Sequence, residues 1–336
     1  MSIASIHSSN AAEADYWNGK GGQRWAEHYD RHDALLRPIS ERLLALADAK
    51  PGEFVLDIGC GCGDTTFDFA DRVAPEGEAL GLDVSATMLE RARERATEDG
   101  LARFIRADAT TYEAPPGEID LVASRFGVMF FADPVQTFAN IRASMKPGGR
   151  LAFACWRAAR DNPWMIEPMR AASAHAPRLP EAGPEDPGPF AFADESRVRQ
   201  FLFDAGFFDI DIEPEEFELD VAIGQGLDTA VETAMEIGPT SRMLEDQPET
   251  TRAAAAGGHP DRPRSARRRR SRAARRGGVV RHGDQSGLTH AVPAGAGAKS
   301  MPGFCKTWPL SFLTFSMACR RFQGTAWRLG VRVPKR

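Results

Sequence analysis

Val55-Leu56-Asp57-Ile58-Gly59-Cys60-Gly61-Cys62-Gly63 is the stretch on which the reading of this chain turns. Phe54 to Ile58 is a short apolar run of strand length, and it ends in alternate glycines. Asp64, Thr65 and Thr66 then offer N-cap side chains for a helix through Val73. Alternate glycines let the backbone turn tightly and let a ligand approach the main chain with no Cβ in the way. The helix start behind them presents free N–H groups and positive dipole, which suit a carboxylate or phosphate. In an open parallel sheet, ligands bind at the carboxyl ends of the strands, where this loop lies. Asp83 ends the next apolar run, 26 residues after Asp57. A carboxylate there can accept both hydroxyls of a ribose, so the ligand is expected to contain a nucleoside.

Working outward, strands alternate with helices. Ala79–Val84 reads as a second strand, and Ser85 caps a helix over Ala86–Thr97. Ala102–Arg106 and Ile119–Ser124 are the third and fourth strands. Pro134–Met145 is helical, Lys146-Pro147-Gly148-Gly149 is a turn, and Arg150–Trp156 is a fifth strand. Such alternation implies βαβ units and a mostly parallel sheet covered on both faces, an α/β class. Before it, residues 13–49 read as helical, with Trp17, Trp25, Tyr29, Leu35 and Leu36 as apolar points and Ile39, Leu43, Leu44 and Leu46 continuing. After it come a Pro/Ala/Gly-rich loop over 158–193 with a helical piece near Trp164–Ala174, a helix Glu195–Ala205, a strand Phe208–Val221 and a polar helical segment 226–247.

The spacing G-x-G-x-G, with Asp57 two residues before the first glycine, departs from the dinucleotide fingerprint G-x-G-x-x-G. It resembles the first motif of class I S-adenosylmethionine-dependent methyltransferases. Leu82-Asp83-Val84-Ser85 with Met88-Leu89 resembles that family's second-strand acid and the helix behind the adenine. Ala107-Asp108-Ala109 resembles its adenine-contacting turn, Asp120-Leu121-Val122 to Phe130 its fourth strand and exit, and Lys146–Gly149 the turn before its fifth strand. The likeness covers roughly residues 13–220 and is strongest to the ubiquinone/menaquinone-biosynthesis branch.

The resemblance implies a Rossmann-like, doubly wound sheet and a set of cofactor-binding roles. Asp57 and the backbone at Gly59, Gly61 and Gly63 would hold the methionine part, and Asp83 the ribose. Val84 and Met88 would flank the adenine, Asp108 and Ala109 would meet its amine edge, and Ser124 and Arg125 would face the methionine or the acceptor. Trp17 and Trp25 would belong to a lid. It also implies transfer of a methyl group to a small-molecule acceptor by in-line displacement, in which positioning supplies most of the acceleration. His28 and His32 are the candidates for a catalytic base on position alone. Phe126, Met129, Phe130 and Phe131 are candidates for an acceptor wall, with core packing the plainer alternative. Arg125 reads equally well as an ion-pair partner. Cys60 and Cys62 have no partnering His/Cys pair at zinc spacing, so no metal is expected. The expected organisation is a helical lid over 1–50, a binding core over 51–157, an acceptor-side part over 158–247 and a basic tail over 257–336.

Composition narrows the classes further. The five cysteines are an odd number in 336 residues, which argues against a disulfide framework and for a reducing, cytoplasmic setting. No apolar stretch reaches the roughly 18 residues of a membrane span. Residues 248–336 hold 19 basic and 3 acidic residues, a balance of +16, whereas residues 1–247 hold 23 and 44, a balance of −21. The acidic part argues against a nucleic-acid substrate. Arg267 to Arg270 invite a nucleic-acid reading of the tail. Yet arginine, glycine, alanine and proline are what a high-GC gene yields out of frame, and the composition favours a frameshift near Ala256. A tail of that kind would leave the sheet without its last strand and the chain prone to poor solubility. A nicotinamide-dependent oxidoreductase is the alternative enzyme, against which the loop spacing and the Lys146–Gly149 turn count.

Overall fold

The computed structural model describes residues 6–98, 100–183, 185–257 and 322–333. Three helices open the chain: α1 (Ala11–Asn18), α2 (Lys20–Glu27) and α3 (Tyr29–Ala47). Then β1 (Phe54–Ile58), α4 (Asp64–Val73), β2 (Glu78–Asp83), α5 (Ala86–Arg95), β3 (Ala102–Arg106) and β4 (Ile119–Arg125) follow in strict alternation up to β3. The chain continues through α6 (Pro134–Ser144), β5 (Met145–Trp156), α7 (Pro163–Ala172), α8 (Glu195–Asp204) and β6 (Phe208–Leu219). The remaining described elements are α9 (Leu227–Glu236), α10 (Gly238–Met243), α11 (Glu249–Ala255) and β7 (Phe322–Arg332).

The seven strands form one sheet in the order β3-β2-β1-β4-β5-β7-β6. β1 pairs in parallel with β2 and β4, with Val55 opposite Ala79 on one side and Leu121 on the other. The central strands β1 and β4 are mostly buried because both faces are covered. Val55, Ala79, Leu121, Ala123 and Ala152 pack with Leu43 and Leu44 of α3 and Phe69 and Val73 of α4. Leu56, Leu82, Val122 and Phe153 belong to the core that Phe138 and Ile141 of α6 and Phe201 and Leu202 of α8 complete. Strand order reverses between β1 and β4, and a crevice opens beyond the carboxyl ends of strands at such a point.

Three expectations change. The helix over 13–49 is three helices, broken at Gly19 and at His28, neither of which is helical. Of these, α3 buries Leu35, Leu36, Ile39, Leu43, Leu44 and Ala47 and is a layer of the core rather than lid. The Lys146–Gly149 turn lies inside β5. Met145 pairs with Ile119 and Arg150 with Leu121, so the four residues form a bulge, turned at Gly148 with φ +83°. Lys146 Nζ reaches the Asp120 carboxylate at 2.7 Å and anchors it.

The expected gap in the sheet is filled. β7 lies antiparallel between β5 and β6, with Leu329 opposite both Phe153 and Ile212. Ala326, Trp327, Leu329 and Val331 are buried there, and Trp327 Nε1 donates to Ala193 O at 3.1 Å. A strand paired on both sides satisfies the backbone groups of both neighbours at once. The tail over 257–336 therefore returns to the fold at 322–333. Residues 258–321 and 334–336, on which the rest of the out-of-frame expectation falls, lie outside the described residues.

Candidate functional site

A cavity of about 890 Å³ opens beyond the carboxyl ends of β1, β2 and β4. Its floor is the glycine loop, and the glycines there serve two different physical ends. Gly59, Gly61 and Gly63 all have positive φ, at +67°, +57° and +90°. A Cβ on Gly59 would lie 2.6 Å from Gly127 Cα, and one on Gly63 would lie 2.7 Å from the Phe104 ring. Those two positions let protein pack on protein. At Gly61 a Cβ would meet only Met88 Sδ, at 3.8 Å, so this position alone keeps open space. Gly59 and Gly61 line the cavity and Gly63 does not.

Asp83 is buried and faces the cavity. Its Oδ2 accepts from Gly61 N–H and its Oδ1 from Ser85 N–H, both at 2.8 Å. A carboxylate offers about four acceptor sites, so not all are used. Burial pushes this carboxyl up, against the N–H groups of Ser85, Gly61 and Val84. Ser85 accepts from Met88 N–H and so caps α5, as expected, and its hydroxyl also donates to Trp17 O at 2.6 Å. Val84, Met88, Ala109, Trp25 and Arg125 line the cavity as well.

Two expected residues are sealed off from the cavity, and two reach it with their polar groups already engaged. Asp57 is fully buried, outside the cavity wall, and accepts from the Thr65 and Thr66 hydroxyls at 2.7 Å each. Those threonines therefore serve Asp57, and the N-cap of α4 is Gly63 with no side-chain cap. Asp57 Oδ1 has no partner, and burial pushes the carboxyl up to about 6. Ser124 is fully buried too, donating to Ile58 O at 2.8 Å and accepting from Gly127 N–H, so it ties the end of β4 to β1. Asp108 reaches the cavity with its carboxylate already engaged by His7 N–H, Asn10 Nδ2 and Thr110 N–H at 2.9 Å. Arg125 donates to Asp33 at 2.7 Å and Ser40 at 2.6 Å, which bears out its ion-pair reading.

Neither histidine lines the cavity. His32 is buried with both ring nitrogens unpartnered, 4.4 Å from the Trp25 ring, and burial lowers it to about 3. His28 stands at the junction of α2 and α3, its Nε2 3.4 Å from Glu236 Oε1. The thiols of Cys60 and Cys62 are buried and pushed up by desolvation, Cys62 to about 12, which makes them inert loop residues. Among the described residues there is no group of three or more His, Cys, Asp or Glu placed to hold a metal ion.

The far end of the cavity is aromatic. Phe126, which holds a left-handed backbone at φ +69°, stacks on Trp156 at 4.1 Å, and Trp156 meets Trp164 edge-on at 5.4 Å. Met129, Phe130, Phe131 and Trp17 also line the cavity, and Met129 and Phe131 belong to the core as well. Sequence reasoning missed Asn10, Glu13, Arg24, Trp156, Trp164, Glu236 and Arg242, which complete the wall. Asn10, a polar cap type just before α1, carried a weak local signal. Glu236 and Arg242 carried none.

The family model described as a methyltransferase domain matches residues 55–149. The chain is 38% identical over 128 residues to an aklanonic acid methyltransferase from a Streptomyces species, a match covering 37% of this chain and 58% of that protein. It is 35% identical over 134 residues to a ubiquinone/menaquinone biosynthesis C-methyltransferase of Stutzerimonas stutzeri, covering 38% and 52%. The match thus spans about half the length of these relatives. Among solved structures, a phosphoethanolamine N-methyltransferase 2 of Haemonchus contortus, in complex with phosphomonomethylethanolamine and S-adenosylhomocysteine, is 14% identical with a TM-score of 0.50, over 98% of this chain and 61% of that one. This last likeness is one of fold. Residues 55–149, which carry the glycine loop and Asp83, are thus similar to a methyltransferase domain.

Proposed function

We propose that the protein binds S-adenosylmethionine in this cavity and methylates a small, largely apolar acceptor. The observation that carries the reading is the pairing of Gly61 and Asp83: a main-chain position kept open, bonded to a buried carboxylate that retains free acceptor sites. These residues fit the cofactor. Asp83 accepts from the ribose hydroxyls, and Val84 and Met88 flank the adenine. Asp108 and Ala109 form that end of the pocket, with Asp108 acting through Asn10 rather than as a free acceptor. Gly59, Trp25 and Arg125 surround the methionine end. Bound there, S-adenosylmethionine supplies an electrophilic methyl group on a sulfonium.

The chain's own contribution is orientation and exclusion of water. The rings of Phe126, Trp156 and Trp164 hold an apolar acceptor, while Trp17 and Trp25 close the site from the lid side. Placement of the reacting pair supplies most of the acceleration. The aromatic lining and the acidic balance of residues 1–247 support a small organic acceptor over a nucleic acid. Among the described residues, no helix is long and apolar enough to cross a membrane.

Calorimetric titration tests the reading. S-adenosylmethionine and S-adenosylhomocysteine should both bind with measurable heat, and NAD should not. Asp83→Ala removes hydrogen bonds to a charged acceptor worth roughly 1.5–3 kcal/mol. Binding should weaken about 10- to 100-fold. Heat with NAD alone, or an Asp83→Ala variant that binds like wild type, would overturn it.

A further inference from the structure

The methyl-transfer reading leaves one chemical need unmet. An acceptor that attacks through a hydroxyl must lose a proton, and the two histidines read as candidates on position do not reach the cavity. Six other acids on the cavity wall are already committed or badly placed. Asp83 and Asp108 are held by main-chain and amide donors. Asp64 pairs with Arg95 at 2.7 Å, and Asp186 accepts from Gly183 N–H at 2.6 Å. Glu13 pairs with Arg242 of α10 at 3.6 Å, and Glu181 is exposed.

Glu236 is different. It closes α9 and lies on the cavity wall beside Ile237 and Gly238. Gly238 in turn sits against Met165 of α7, the helix that carries Trp164, so Glu236 overlooks the aromatic end. Its carboxylate also faces outward. Oε1 lies 3.4 Å from His28 Nε2, and Oε2 accepts from Arg31 Nη1 at 2.7 Å. His28 is outside the cavity wall and about a quarter exposed. Glu236 therefore stands between the cavity wall and a ring that touches solvent.

We propose that Glu236 takes the proton from the methyl acceptor, and that the acceptor is an apolar aromatic hydroxyl, a phenol or enol in chemical class. The proposal rests on the methyl-transfer reading above. The balance is simple. The hydroxyl oxygen's lone pair forms the new O–C bond, the S–C electron pair remains on sulfur, and the O–H proton moves to the Glu236 carboxylate. A neutral acceptor, a cationic donor and an anionic carboxylate become three neutral groups. Burial pushes the Glu236 carboxyl up, which favours proton capture. His28 and Arg31 oppose that push, while Glu232 and Glu27 add to it.

The test uses 2-naphthol, a flat aromatic hydroxyl whose emission separates its neutral and anionic forms. With S-adenosylhomocysteine present, wild-type protein should bind it and show the anion band, because a carboxylate receives the proton within a water-poor site. Glu236→Gln should bind both ligands as wild type does and lose the anion band. In His28→Ala the band should disappear at a higher pH than in wild type, since a positive neighbour that holds the Glu236 carboxyl down is gone. An anion band retained in Glu236→Gln, or lost instead in Glu13→Gln, would overturn the role of Glu236. Failure of 2-naphthol to bind wild type would overturn the acceptor class. Neither result touches cofactor binding, which the calorimetric titration reads separately.

Discussion

Asp57 shows how far a single residue can be read from its neighbours. Its place before the glycines was legible, because strand and loop are local features. Its partners were not: two hydroxyls from the next helix turn inward to Oδ2, and the carboxylate is sealed from the cavity. The consequence is a pH effect. The folded carboxyl titrates near 6, above its ordinary 3.8, so the folded state holds the proton more tightly. Stability from this group is fully present below about pH 3.8 and is lost as pH rises through about 6, a change of ~3 kcal/mol. Asp57→Asn should flatten that decline, and urea titrations between pH 4 and 7 would read the difference. An unchanged slope would mean the carboxylate is better solvated than its burial implies. The glycines teach a related lesson. Their positive φ was foreseeable from the turn, but only packing separates Gly59 and Gly63, which admit Gly127 and Phe104, from Gly61, which keeps space at the cavity.

Among the elements, β1, α4 and β3 run as their sequences indicate, since apolar runs of strand length and a helix opening after glycine are short-range signals. The opening helices were less legible, because their apolar spacing continues across two breaks. Gly22 explains one of them. A Cβ there would lie 1.9 Å from Trp17 O, so α2 folds directly onto α1. In an exposed helix Gly→Ala is stabilising by about 1 kcal/mol. Here the sign should reverse, at a cost of roughly 1–3 kcal/mol to the lid, because the added methyl meets backbone. Gly22→Ala should weaken S-adenosylhomocysteine binding and raise hydrogen exchange in α1 and α2. The core helix α3 should exchange as before. Faster exchange across α3 would show that lid and core open together.

At the scale of the whole molecule, β7 is the element that makes one sheet of two pieces. Leu329 is fully buried between Phe153 and Ile212, so Leu329→Ala should cost about 2–5 kcal/mol. A thermal transition shifted by no more than a surface substitution would count against the strand order. Charge follows the same geometry. The acidic strand β6 meets a basic partner, with Arg328 of β7 bridging Glu213 and Arg42 of α3 bridging Glu215. Part of the basic tail thus balances the acidic body it was read apart from. Residues close in sequence settled the alternating strands, the glycine loop and the acid at the tip of the second strand, because strand, turn and cap preferences act over a few bonds. Tertiary structure alone placed β7 beside β5, sealed Asp57, Ser124 and His32, and brought Glu236 to the cavity. Those outcomes depend on which surfaces meet when the elements pack, and the burial of apolar area that drives such meetings carries no address in local sequence.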